Sequence, residues 1–66
     1  MKFKLLNKGY NKYIIKDIRP NRTNHYINYV SPSLNNVGFV NRISEAKIYS
    51  KKIALLHKKY LEKRYK

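Results

Sequence analysis

Apolar and charged residues alternate at the start of the chain, where Met1, Phe3 and Leu5 are separated by Lys2 and Lys4. A period of two is that of a half-buried strand, so a short first strand is predicted there. Asn7-Lys8-Gly9 then supplies a turn, because Asn and Gly accept the positive φ angles of a tight hairpin. Tyr and Ile dominate from Tyr10 to Ile18 and predict a second strand at about Asn11 to Arg19, antiparallel to the first. Pro20-Asn21-Arg22-Thr23-Asn24 is loop by composition and short enough to be a hairpin tip. A third strand is expected at about His25 to Val30, with Tyr26, Asn28 and Val30 on one face and His25, Ile27 and Tyr29 on the other. Ser31 to Asn36 reads as a longer connection, and Val37-Gly38-Phe39-Val40 as a short edge strand or an extended segment.

The pattern then changes period. Ser44-Glu45-Ala46-Lys47 reads as one helical turn capped by Ser44, and Ile48-Tyr49 as extended. Ser50 is the expected cap of the main helix, since its hydroxyl can accept from a free backbone N–H of the first turn. No Gly or Pro follows, and Ala, Leu, Lys and Glu carry the helix to about residue 65. At about 3.6 residues per turn, Ile53, Ala54, Leu56, His57, Tyr60 and Leu61 share one face. Lys51, Lys52, Lys58, Lys59, Glu62, Lys63 and Lys66 fall opposite, with Leu55 among them. The expected fold class is α+β: a small antiparallel sheet of three strands, or four with Val37 to Val40, and a C-terminal helix packed on one face. The expectation is a single domain over residues 1–66, the sheet within about 1–49 and the main helix within about 51–65.

Size limits what such a fold can bury. A chain of 66 residues makes a marginal core, and with no Cys to form a disulfide, further buried area would have to come from a ligand or a second copy of the chain. No apolar run approaches the roughly 18 residues that cross a bilayer. The opening residues lack the continuous apolar stretch of a secretion signal, so a cytoplasmic protein without membrane partners is expected.

Charge changes the picture most. Sixteen Lys and Arg face three acids, Asp17, Glu45 and Glu62, for a formal net of +13. A codon preference that enriches Lys and Asn does not account for so few acids. Self-repulsion on this scale opposes compaction, and a polyanion would both relieve it and be drawn in from a distance. The lysines expected on the helix surface, Lys51, Lys52, Lys58, Lys59, Lys63 and Lys66, would form a stripe able to displace counterions from phosphates, with Leu55 as an apolar contact at its centre. Arg19 and Arg22 in the loop are further candidates; with Tyr29, Lys12, Lys16 and Arg19 exposed on the sheet face away from the helix, sheet and helix would both offer basic contacts. Arg and Asn can read base edges, and Tyr can stack on bases. For Tyr13, Tyr26 and Tyr60 core packing is the expectation.

Catalytic chemistry is poorly supplied. The three acids stand apart in sequence, no metal-binding spacing occurs, and no Gly-rich loop precedes the helix. His25 and His57 could serve as acid and base in a small ribonuclease, but a core-edge place for His57 and a sheet or turn place for His25 are the plainer expectation. The sequence predicts neither an enzyme nor a cofactor or metal.

Phe39 to Ala54, following Tyr13-Ile14-Ile15-Lys16, resembles small phage and mobile-element proteins in which a strand pair leads through an Ala-Lys-apolar-aromatic-Ser step into a C-terminal helix. About half the chain is covered. The strand-strand-strand-helix order is also similar to the arm-binding domains of some tyrosine recombinases, which implies a sheet laid in the DNA major groove without the recombinase chemistry. The resemblance implies two functions. One is a phage-encoded DNA- or RNA-binding protein; the other is an anti-defence, anti-CRISPR-like inhibitor whose basic surface docks on an acidic host protein or nucleoprotein.

Overall fold

The computed structural model describes residues 2–30 and 37–65. Four strands, β1 (Phe3–Gly9), β2 (Lys12–Asp17), β3 (Tyr26–Val30) and β4 (Val37–Val40), form an antiparallel sheet in the order β1-β2-β3-β4. A 3-10 turn, Ile43–Glu45, and the helix α1 (Lys51–Arg64) follow. The fold class is the α+β arrangement read from the sequence, with Val37–Val40 as a true fourth strand. The connection Ser31 to Asn36 lies outside the described residues.

The first hairpin closes two residues later than expected. β1 continues through Asn7 to Gly9, and the turn falls at Tyr10 and Asn11. Asn7 Oδ1 accepts from the Gly9 N–H at 2.8 Å, at the point where the register slips between Asn7 and Gly9. Gly9 has φ of 147° and Asn11 φ of 53°. Both values are costly for most residues, and Gly and Asn are the types that accept them. The predicted turn residues thus build a bulge inside the strand, and the turn itself uses Asn11.

The register sorts the side chains into two faces. Phe3 pairs with Asp17, Leu5 with Ile15 and Asn7 with Tyr13 on one face; Lys4 pairs with Lys16 and Leu6 with Ile14 on the other. Between β2 and β3 the ladder holds the pair Lys16–Tyr26, and beyond it the strands part. Lys47 to Tyr49 fills the gap as a strap: Tyr13 and Tyr49 exchange N–H···O bonds of 2.8 Å, and the Lys47 N–H donates to the Ile27 carbonyl at 3.1 Å.

Phe3, Ile15, Ile27, Tyr49, Ala54 and Leu61 are the buried cluster, with Leu5, Tyr13, Val37, Phe39 and Tyr65 packed around it. Each fully buried large apolar side chain contributes roughly 1.5–3 kcal/mol, so so few of them make the marginal core expected at this length. Ser50 caps α1 as predicted, its Oγ accepting from the Ile53 N–H at 3.4 Å. The earlier short turn differs from expectation. It is 3-10, it is led by extended Arg42, and no side chain caps it.

The helix is rotated from the phase read in the sequence. Ala54 and Leu61 are buried, whereas Ile53, Leu56 and Tyr60 are 40%, 43% and 40% exposed. Ala54, His57, Leu61 and Tyr65 therefore form the inner stripe, and the expected core place of Tyr60 is corrected. Apolar residues occupy more than half the circumference of α1, so apolarity alone leaves its phase undetermined. Small Ala54 at the centre of the contact lets the helix lie close to β1 and β2.

Candidate nucleic-acid interface

Two of the acids are consumed by the fold. The alternation that buries Ile15 and half-buries Tyr13 also carries Asp17 inward, where it has 0% exposure. Its carboxylate accepts from the Arg19 backbone N–H at 3.0 Å, from Arg19 Nε at 2.9 Å and from Arg19 Nη2 at 2.7 Å. Arg22 Nε lies 3.3 Å from the same carboxylate. Burial pushes the Asp17 carboxyl up, but the Arg19 hydrogen bonds and the charges of Arg19 and Arg22 outweigh it and hold it below the usual range. The Arg19 guanidinium lies 4.2 Å from the Tyr65 ring centroid, 5.3 Å from that of Phe3 and 5.9 Å from that of Phe39. Arg19, expected among the ligand contacts, is thereby tied into the core edge, its side chain 18% exposed. Arg22, at 41%, keeps an outward side. It borders a shallow hollow of about 270 Å³ with Asn21, Thr23, Asn24 and Phe39.

Glu62 folds back in the same way. Its carboxylate accepts from the Lys2 N–H at 2.9 and 3.0 Å and from the Phe3 N–H at 3.0 Å, and Lys58 Nζ stands 3.6 Å away. Desolvation raises the Glu62 pKa, but these N–H groups and the charge of Lys58 more than offset it and leave it lowered. Lys58, expected on the ligand face, turns to the flank of the helix next to β1.

What remains on α1 is an outer surface without an acid. At about 3.6 residues per turn, Lys52, Lys59 and Lys63 point furthest from the sheet, with Leu56 among them. Lys51 and Leu55 lie on one flank, and Ile53 and Tyr60 on the other; all are exposed. Lys51 also donates its backbone N–H to Asn11 Oδ1 at 3.0 Å, which joins the helix start to the hairpin turn. A hollow of about 340 Å³ opens there, lined by Asn7, Gly9, Tyr10, Asn11, Tyr13 and Lys51. Lys66 and the Tyr29 side chain lie outside the described residues; Tyr29 pairs with Gly38 in the ladder.

Lys12 and Lys16 do not join this surface. They project from the opposite face of the sheet, as does Lys4, where the register lines up Lys4, Lys16, Tyr26 and Val40 across all four strands. The candidate lysines thus lie on two sides of the molecule, those of the sheet on the face away from the helix. The sequence signal for the split is the same alternation that buries Ile15 and Asp17, because it sends their neighbours Lys12 and Lys16 the other way. The roles of Asp17 and Glu62 were missed, although an acid at an inward strand position calls for a cationic partner nearby.

His57 meets the Tyr49 ring edge-on, centroids 5.0 Å apart, and among the described residues neither its buried Nδ1 nor the Tyr49 hydroxyl has a hydrogen-bond partner. Burial lowers the His57 pKa and raises that of Tyr49. Among the described residues no group of three or more His, Cys, Asp or Glu is placed to hold a metal ion, and no helix is long and apolar enough to cross a membrane. No protein-family model matches the chain, and neither a curated protein nor a solved structure matches it.

Proposed function

We propose that the protein binds nucleic acid, with the outer face of α1 as its principal contact. The observation that carries this reading is the fate of Glu62. The one acid of the helix is drawn onto the backbone of Lys2 and Phe3, so Lys51, Lys52, Lys59 and Lys63 stand on the exposed side of α1 with no acidic side chain of the helix among them. A phosphate backbone meeting four lysines releases condensed counterions, which gives a slope of log K against log salt of about −3.6 and a loss on the order of 100-fold between 50 and 200 mM salt.

Fluorescence anisotropy with labelled duplex DNA, single-stranded DNA and RNA tests this directly. The expected result is salt-dependent binding that weakens at least tenfold in a Lys52→Gln, Lys59→Gln, Lys63→Gln variant whose thermal melt is unchanged. Absence of retention on every one of these nucleic acids at 20 mM salt would overturn the reading.

A second reading, an inhibitor docked on an acidic host protein, draws on a different observation. Ile53, Leu55, Leu56 and Tyr60 are exposed among those same lysines, and apolar groups of this size suit a protein groove better than a phosphate backbone. A pull-down that survives nuclease and recovers one acidic protein would favour it.

A further inference from the structure

The division of the lysines between two sides carries a consequence that the binding proposal alone does not contain. We infer that the face of the sheet opposite α1 is a second nucleic-acid contact, and that one molecule holds two separate nucleic-acid segments, one on each side. The inference rests on the proposed nucleic-acid binding.

Register and alternation fix the geometry. Lys4 and Lys16 are direct cross-strand partners, and Lys12 lies on the same face of β2, four residues along from Lys16. Like charges placed opposite each other in a ladder are unfavourable unless something neutralises them. Lys4 and Lys12 are exposed and Lys16 is partly so. Leu6 and Ile14 form the next cross-strand pair on that face, Leu6 half-buried and Ile14 fully enclosed, so the accessible groups there are the lysines. Asp17 and Glu62 do not offset this charge. Asp17 points to the helix side and is enclosed by Arg19 and Arg22, and Glu62 belongs to α1.

Distance makes the two sides independent. A helix about 10–12 Å across, the sheet and the lysine stems put the two sets of ammonium groups about 20 Å apart, or about two Debye lengths at 0.1 M salt. A phosphate chain on one side therefore neutralises little of the charge on the other. The second side still attracts a polyanion. Two straight duplexes could each lie on one side without meeting, because the fold stands between them as a spacer with Cα extents of 29 × 23 × 20 Å. The occupant of the far face is a second nucleic-acid segment on grounds of charge complementarity. A second copy of this chain is disfavoured there by the formal net charge of +13 on each copy.

The test is a bridging assay beside the anisotropy measurement. Donor- and acceptor-labelled duplexes are mixed at 0.1 M salt with the native chain, with a Lys4→Gln, Lys12→Gln, Lys16→Gln variant and with the helix variant described above. The native chain is expected to bring the two labels together. The sheet variant should bind a single duplex within about threefold of native, since α1 keeps its lysines, yet lose at least tenfold in the energy-transfer signal at equal occupancy. A sheet variant that bridges as well as the native chain would overturn the inference, and so would a native chain that binds single duplexes but never joins two. Failure of all three proteins to bind any duplex or single strand would instead remove the binding proposal beneath it. Unchanged melts of both variants keep a folding defect from imitating either result.

Discussion

Changing Asp17 to Asn removes one charge, keeps the side-chain volume and leaves the Arg19 guanidinium in place without its counterion. Asp17 is fully enclosed and Arg19 only 18% exposed, so little water can replace the lost partner. Breaking a buried pair by removing one member costs about 3–5 kcal/mol. The lower end applies here, because Arg19 keeps its contacts with the rings of Tyr65 and Phe3 and a margin of solvent. A chain of this length is expected to have about 3–10 kcal/mol of total stability. A loss of about 3 kcal/mol then corresponds to a fall in Tm of roughly 12–24 °C. Circular dichroism melts and urea titrations read this out, with Arg19→Met, alone and combined with Asp17→Asn, completing a double-mutant cycle. The combined variant should recover part of the loss, since Met can occupy the space against Phe3, Phe39 and Tyr65 without an unpaired charge. Acid provides an independent check. The Asp17 and Glu62 pKa values are lowered in the folded chain, so their contribution is complete above the unfolded carboxylate pKa of about 4 and disappears as pH falls through the lower folded values. Asp17→Asn should flatten that acid-side decline. A variant that melts within 3 °C of the native chain would refute the assignment of Asp17 as the charge that holds the loop and the helix end. Nucleic-acid affinity of the folded variant should not fall, because its net charge rises by one.

His57 gives a second pH dependence. Its pKa is lowered by burial, so the fold favours the neutral imidazole; stability is complete above the unfolded value of about 6.5 and declines as pH falls from there toward the folded pKa. The urea midpoint should be lower at pH 5.0 than at pH 7.5 in the native chain, and a His57→Leu variant should lose most of that difference; an unaltered difference would show that other groups cause it. Asn11 combines a φ of 53° with the acceptor for the Lys51 N–H. Asn11→Ala should cost about 1–2 kcal/mol in urea denaturation through the left-handed backbone and the lost bond, and Asn11→Gly less, because Gly keeps the conformation; equal losses in the two variants would assign the effect to the hydrogen bond alone.

Strand positions were legible wherever one face is buried and the other wet. Phe3 and Leu5 against Lys2 and Lys4, and Ile15 against Lys16, announce their faces through a period of two. The start of α1 was equally plain, since Ser50 is followed by a long stretch without Gly or Pro. Helix phase was not. Ile53, Leu55, Leu56, Tyr60 and Leu61 surround the axis, and the choice among them was made by the narrow floor of β1 and β2, a tertiary fact absent from local pattern. The site suffered for a related reason. Arg19, Arg22 and Lys58 look like free cations in sequence, and only the inward turn of Asp17 and the backward reach of Glu62 show that they have internal partners. Lys12 and Lys16 stand on the sheet face away from the helix, whereas Arg19, read as sharing that face, is drawn to the helix side by Asp17 and Tyr65.

Glu62 also has a bearing on how copies of this chain behave together. The Phe3 N–H lies at the outer edge of β1, where an open sheet offers a template for a strand from another molecule. With that N–H held by a carboxylate, an incoming strand would have to strip away an ionised group before its first hydrogen bond could form. Lys4 and Lys8, exposed further along the same strand, make the approach of an equally cationic edge still less favourable. One glutamate thus guards the beginning of β1 against edge-to-edge association.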